Sequence, residues 1–374
     1  MVNNTSLLEQ KVNSDESSKI IRPHRTEWLT RVLEMYIWHK LHNVSKNTYD
    51  IPISTRIYIQ YHNEHRNDKD GIGLFFVPLH ANFLETLLIP CVIKEIIEGT
   101  IPYSIMDVSR IENNNTLKNL ANAVGVFTLK KKSKDTGKIV RDAGLMMMYA
   151  TESVLSHNGS IIYYGEGTRT ETGLTGPFAV AGFQGAINAA GTRPVFAIPV
   201  TVMWPYIDEV MNGRTKDYGF KEILDSFKIY HGNVHISFGK PIEIVAPKII
   251  GLSDNEATKI NKDYREQLKL QLRNACIDLK RILPEYIHAG GMLRLNPTKG
   301  TPINYDALLN NISSLVADLQ PYKEKFIGIP IRNLDPEIIL ERSRLPTDSK
   351  LMNEYRIYYN LMDPFLPKNS NIRV

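Results

Sequence analysis

Between about residue 54 and residue 240 short apolar runs alternate with segments of helical period, and this alternation narrows the possible folds more than any other feature. Residues 72–79 form a continuous apolar run, which reads as a strand buried on both faces. Further strands are expected at 57–61, 103–106, 124–129, 161–164, 195–203 and 234–238. Helices are expected at 82–98, with Pro90 as a kink, at 139–155, and at 178–190, where Gly and Ala dominate. The order predicts an α/β fold, a central mixed sheet flanked by helices, with an N-terminal helical segment and a C-terminal appendage.

Residues 1–22 are polar, with few large apolar side chains, and predict a disordered tail. In 26–42, Leu29, Val32, Leu33, Tyr36, Ile37 and Leu41 recur at helical spacing, with Trp28 and Trp38 near the ends. The segment reads either as a helix packed on the main domain or as an interfacial helix, its tryptophans at headgroup level and Arg25, Arg31 and Lys40 on anionic lipid. The main α/β domain is placed at 23–290. A long charged helix or helix pair is expected at 252–283, and the pattern loosens after Gly290-Gly291. Residues 291–374 read as a helical and irregular appendage with one amphipathic helix near 305–319. The Met146-Met147-Met148 run reads as core packing, a lipid-facing role being the alternative.

A chain of 374 residues with 43% apolar and 23% charged side chains can bury a full core. Its net charge of +5 favours anionic partners such as lipid, phosphorylated metabolites or an acidic carrier, and no nucleic-acid signature accompanies it. Cys91 and Cys276 are the only cysteines, too few for a disulfide framework or a zinc site, so a reducing, cytoplasmic compartment is expected. Neither a signal peptide nor a run long enough to span a bilayer stands out, which leaves peripheral contact with a membrane surface open.

Two short motifs carry the chemistry. The first is His80-Ala81-Asn82-Phe83-Leu84-Glu85. Five residues of regular helix turn about 500°, so His80 and Glu85 meet only if His80 precedes the helix. Asn82 is a good N-cap, which makes Glu85 the N3 residue and leaves His80 at the carboxyl end of the strand, where open α/β sheets place ligands. A histidine there can take a proton from a hydroxyl while the carboxylate fixes its tautomer. A simple capping box beside a surface histidine is the bland alternative. The second motif, Gly165-Glu166-Gly167-Thr168-Arg169, is a strand running into a Gly-rich turn. Its backbone can approach an anion, Arg169 can grip a phosphate, and Glu166 can orient Arg169 or accept from a substrate hydroxyl. An ordinary turn with a surface Arg–Glu pair remains the alternative. Lys130-Lys131-Lys132 ends another strand, either as solvated charge or as a further anion contact. Pro199 interrupts the apolar run 197–200 and implies an edge, a bulge or a strand end.

In order and spacing these segments resemble the glycerol-3-phosphate and lysophosphatidate acyltransferase superfamily. HANFLE is similar to its His-four-residues-Asp block, GVFTLKK to its Gly-x-Phe-x-x-Arg block, YYGEGTRTETG to its Phe-x-Glu-Gly-Thr/Gly-Arg-Ser block and FAIPVTV to its apolar-Pro block. GFQGAINAA and GNVHISFGKPIEI resemble the helix and closing strand that go with them, so the likeness covers about 72–245. It implies acyl transfer from acyl-CoA or acyl carrier protein to a hydroxyl of glycerol 3-phosphate or 1-acylglycerol 3-phosphate (lysophosphatidate) in phospholipid biosynthesis. His80 would be the general base with Glu85 beside it. Lys130, Glu166, Gly167, Thr168, Arg169 and Pro199 would fall on substrate-binding blocks. Four positions depart from the pattern: Glu85 stands for Asp, Lys130 for Arg, and Glu171 and Gln184 for residues that are often basic. No covalent acyl-enzyme, cofactor or metal is called for, and Gly-x-Ser-x-Gly is absent. The rival readings are a non-catalytic lipid- or acyl-chain-binding protein, a thioester hydrolase, and an acyltransferase for a non-phosphate acceptor.

Overall fold

The structure, a computed structural model, describes residues 39, 45–82, 84–96, 102–107, 125–129, 138–167, 170, 172–211, 225, 228–229, 231–249, 251–327, 335–343 and 345–366. The expected tail at 1–22 and, His39 apart, the helix at 26–42 lie outside the described residues.

The described residues form an α/β fold around one mixed sheet of eight strands. In chain order these are β1 (Ser45–Asp50), β2 (Gly73–Pro78), β3 (Tyr103–Asp107), β4 (Val126–Leu129), β5 (Ser160–Ile162), β6 (Val195–Met203), β7 (Gly232–Phe238) and β8 (Ile242–Ile244). They lie in the order β1-β7-β6-β2-β5-β3-β4, with β8 beside β6. The pairs from β6 through β2, β5 and β3 to β4 are parallel, whereas β7 and β8 run antiparallel to β6.

Helices on both faces explain why the strands read as unbroken apolar runs. Leu74 and Phe76 face one core, with Leu88 and Val92 of the helix α2 (Glu85–Ile96). Phe75 and Val77 face the other, against α3 (Lys138–Ser156), α4 (Ala181–Ala190) and α6 (Asp254–Asp278). The two Phe side chains are fully buried, each contributing roughly 1.5–3 kcal/mol of hydrophobic free energy. Gly185 lets α4 lie on α3, since a Cβ there would stand 2.3 Å from the carbonyl oxygen of Met148. Among the described residues no helix is long and apolar enough to cross a membrane.

The first core takes in Val210 of the short helix α5 (Asp208–Met211) and extends into the C-terminal third. Tyr286 and Ile287 of α7 (Pro284–Leu295), Leu308 and Ile312 of α8 (Tyr305–Leu319), Ile339 of α9 (Pro336–Arg342) and Tyr358 of α10 (Met352–Asn360) share one cluster with the sheet residues. The pattern does not loosen at Gly290-Gly291. Both glycines lie inside α7, where a Cβ would come within 2.4 Å of Leu315 and 2.5 Å of Ile312 respectively. A helix buried all round loses its amphipathic stripe, and small residues let its neighbours close in.

Two further expectations are corrected. Residues 57–61 are not a strand but belong to α1 (Ile53–His65), which buries Thr55, Ile59 and His62 at helical spacing. The alternation Ile57-Tyr58-Ile59 suggests a strand, yet Ile53 and Ile57 are exposed and only one side of the helix meets the sheet. Pro199 lies inside central β6, not at its edge. It falls between the β8 ladder (195–197) and the β7 ladder (200–203), where a proline removes no ladder bond. Gly239 donates its N–H to the Pro199 carbonyl at 2.8 Å there.

Candidate active site

β2 delivers His80. The Leu79 N–H still bonds to β6, donating to the Val200 carbonyl at 3.1 Å, and the chain then leaves the sheet. Asn82 Oδ1 accepts from the Leu84 N–H at 3.0 Å, and α2 begins at Glu85. Asn82 therefore caps the turn that leads into the helix, three residues ahead of Glu85, and Glu85 is a first-turn residue. With His80 ahead of the helix, the angular separation that would part the two side chains no longer applies.

The Glu85 carboxylate is fully buried and held from several sides. Oε2 lies 3.0 Å from His80 Nδ1 and accepts from the Ala81 N–H at 3.0 Å. Oε1 accepts from the Trp204 indole Nε1–H at 2.9 Å. Burial pushes the Glu85 carboxyl well up, and the Trp204 and backbone donors act against it. The indole and the amide can only donate, which favours the ionised carboxylate with the proton on His80 Nδ1. The lone pair of Nε2 is then the one that can accept a proton from a hydroxyl. The His80 ring lies against Tyr164, with centroids 4.2 Å apart.

Glu166 braces the Gly-rich turn. It accepts from the His80 N–H at 3.3 Å and from the Gly176 N–H at 2.7 Å, and the Thr170 N–H donates to the His80 carbonyl at 2.9 Å. Its carboxyl is raised by burial and lowered by those bonds and by Lys280 and Arg273. Gly167 adopts φ of +69°, a turn geometry that disfavours a side chain, and its N–H donates to the Tyr164 carbonyl. From α6, Arg273 donates to the carbonyls of Gly176 and Thr175 at 3.0 and 2.6 Å. Gly173, at φ of +81°, packs on α10, where Asn360 Nδ2 donates to the Thr172 carbonyl at 2.8 Å.

His80 and Glu166 border a small open cleft. His80, Glu166 and Thr170 form part of its wall, with Thr201 and Met203 of β6, and Lys280 and Tyr286 beyond α6. His80, Glu85, Glu166 and Gly167 are thus brought together. Pro199 stays within the sheet against Gly239. Lys130, Thr168, Arg169 and Glu171 lie outside the described residues, and Gln184 is engaged by Arg265 and Asn188 on α4.

Trp204, Lys280, Tyr286 and Arg273 escaped the sequence reading. Only Trp204 carried a signal, the Met-Trp-Pro that follows the β6 run. The others belong to elements that read as ordinary charged or apolar helix.

No protein-family model and no curated protein matches the chain. Among solved structures it is similar to the 1-acyl-sn-glycerophosphate (LPA) acyltransferase PlsC from Thermotoga maritima, at a TM-score of 0.38 and 14% identity, over 72% of this chain and 86% of that one.

Proposed function

We propose that this chain is an acyltransferase. It moves a fatty acyl group from a thioester, acyl-CoA or acyl carrier protein, to a hydroxyl of glycerol 3-phosphate or 1-acylglycerol 3-phosphate. The observation that carries the reading is the His80–Glu85 pair, 3.0 Å apart at the carboxyl end of β2 with the histidine on the cleft wall. The ordered set of four sequence blocks supports the choice of reaction.

In this mechanism His80 Nε2 takes the proton of the acceptor hydroxyl as its oxygen attacks the thioester carbonyl carbon. Glu85 holds the Nδ1 proton and stabilises the imidazolium that forms. The tetrahedral intermediate collapses with cleavage of the C–S bond. The departing thiolate recovers the proton from Nε2, leaving ester and free thiol. Positive charge from the Gly-rich turn and the lysine cluster, with Arg169 and Lys130 as candidates, would stabilise the oxyanion or hold phosphate. An acylated acceptor would be met at a membrane surface, as a peripheral encounter.

The test is an endpoint assay on purified protein with palmitoyl-CoA or palmitoyl carrier protein, each with glycerol 3-phosphate or its 1-acyl derivative. Products are read by mass spectrometry with His80→Ala alongside. Ester formation that His80→Ala abolishes while remaining folded is the expected result. Full activity in that variant, or no ester from any pair, would sink the proposal.

A further inference from the structure

Among the described residues, Lys280 is a buried cation without an ion-pair partner. It follows α6 in the connection to α7, is 5% exposed, and lines the same cleft as His80 and Glu166. Its backbone is engaged, the N–H donating to the Ile277 carbonyl at 3.0 Å and its own carbonyl accepting from Arg281. Among the described residues its ammonium group has no hydrogen-bond or ion-pair partner. Glu166 and Asp363 act on it only at longer range, and Glu166 already spends both oxygens on backbone N–H groups.

A lysine almost wholly buried at the edge of an open cleft is poorly solvated, and an anion in the cleft would complete it. Burial lowers its pKa to about 8, with Arg273 acting the same way and Glu166, Asp363 and Cys276 acting against it. At neutral pH it is still mostly charged, so it can meet an anion without a compensating proton. A purely structural counter-charge to Glu166 would be expected to stand within ion-pair distance of it.

Resting on the acyl-transfer reading above, we infer that Lys280 is a specificity-determining residue that binds the phosphoryl group of the acceptor in the His80 cleft. Lysine suits a phosphomonoester as a compact point charge. The acceptor phosphate then sits on the wall formed beyond α6, with its hydroxyl toward His80.

The test measures binding rather than turnover. Glycerol 3-phosphate, glycerol, inorganic phosphate and coenzyme A are titrated calorimetrically into wild-type full chain, Lys280→Met, Lys280→Arg and His80→Ala, with circular dichroism as the fold control. Wild type and His80→Ala should bind glycerol 3-phosphate and not glycerol. Lys280→Met should weaken that binding roughly tenfold or more while leaving coenzyme A unchanged, and Lys280→Arg should restore part of it. In wild type, glycerol 3-phosphate affinity should fall as pH rises through about 8, which keeps the question open to test if the variants misfold. Unchanged affinity in a folded Lys280→Met, a loss confined to coenzyme A, a pH-independent affinity, or no phosphate binding by wild type would each overturn the assignment. Because none of these readouts needs turnover, they separate failure of this inference from failure of the His80 chemistry.

Discussion

The Trp204 indole donates to Glu85 Oε1 at 2.9 Å, joining the end of β6 to the start of α2 across 119 residues of sequence. It leaves Oε2 for His80 and the Ala81 N–H, so the carboxylate is oriented from both sides. Removing the donor should strand a buried oxygen at a loss of about 1–3 kcal/mol. Trp204→Phe should lower kcat by roughly tenfold with little change in KM. That bond lowers the Glu85 pKa, so its loss lets the pKa rise further and the acid limb of the activity profile moves to higher pH. Steady-state kinetics across pH would detect this, and an unmoved acid limb would argue against the coupling.

Glu85 has a side chain long enough to reach His80 and the Ala81 N–H from the first turn of α2. Glu85→Gln keeps that length but loses the charge that holds Nδ1–H. It should reduce kcat by about 10²–10⁴-fold. Glu85→Asp keeps the charge and falls one methylene short, so it too should be impaired. Wild-type turnover in Glu85→Asp would mean that α2 can shift to restore the contact.

Lys280→Met should weaken anion binding without weakening the fold. Replacing a buried, unpartnered charge by an apolar side chain of similar length is commonly neutral or stabilising. The midpoint of thermal unfolding should therefore stay at or above that of wild type at pH 7. A clear drop would instead reveal a structural pairing with Glu166.

His288 sets an acid limit on stability. It is 1% exposed, with Nδ1 2.9 Å from the Ser343 hydroxyl and Nε2 3.2 Å from that of Thr347, and burial lowers its pKa to about 4. Between pH 4 and 6.5 the unfolded chain binds the extra proton, so stability must fall with pH there. The contribution is full above about 6.5 and lost as pH falls through about 4, amounting to roughly 3 kcal/mol at most. Denaturant melts from pH 4 to 7 on wild type and His288→Gln should show a shallower slope in the variant.

Gly173→Ala should damage stability and activity together. A Cβ there would lie 2.1 Å from the Ile357 carbonyl oxygen, at a backbone φ of +81°. About 2–4 kcal/mol of destabilisation is expected, with α10 pushed off the turn that Glu166 braces. Thermal melts and turnover on the same preparation would check it, and an unchanged midpoint would show that the turn gives way freely.

The strands were legible because helices cover both faces of the sheet, so Phe75 and Phe76 are both apolar for different neighbours. The His80–Glu85 contact was legible because only a short connection separates His80 from the first turn of α2. Residues 57–61 misled because Ile57 is exposed and Ile59 buried, a contrast that alternation alone assigns to a strand. The Gly290-Gly291 pair misled because glycine signals a break unless a neighbouring helix needs its space.

What the sequence by itself determined is the α/β class, the strand that ends at His80, and the carboxylate within its reach, all set by local periodicity and short-range turn chemistry. What only the tertiary structure decided is what surrounds them. Trp204 meets Glu85, Lys280 meets the cleft, and α10 meets the Gly173 turn through contacts between segments far apart in the chain. Such contacts follow from how helices and strands pack into a common core, and no local pattern of residues encodes them.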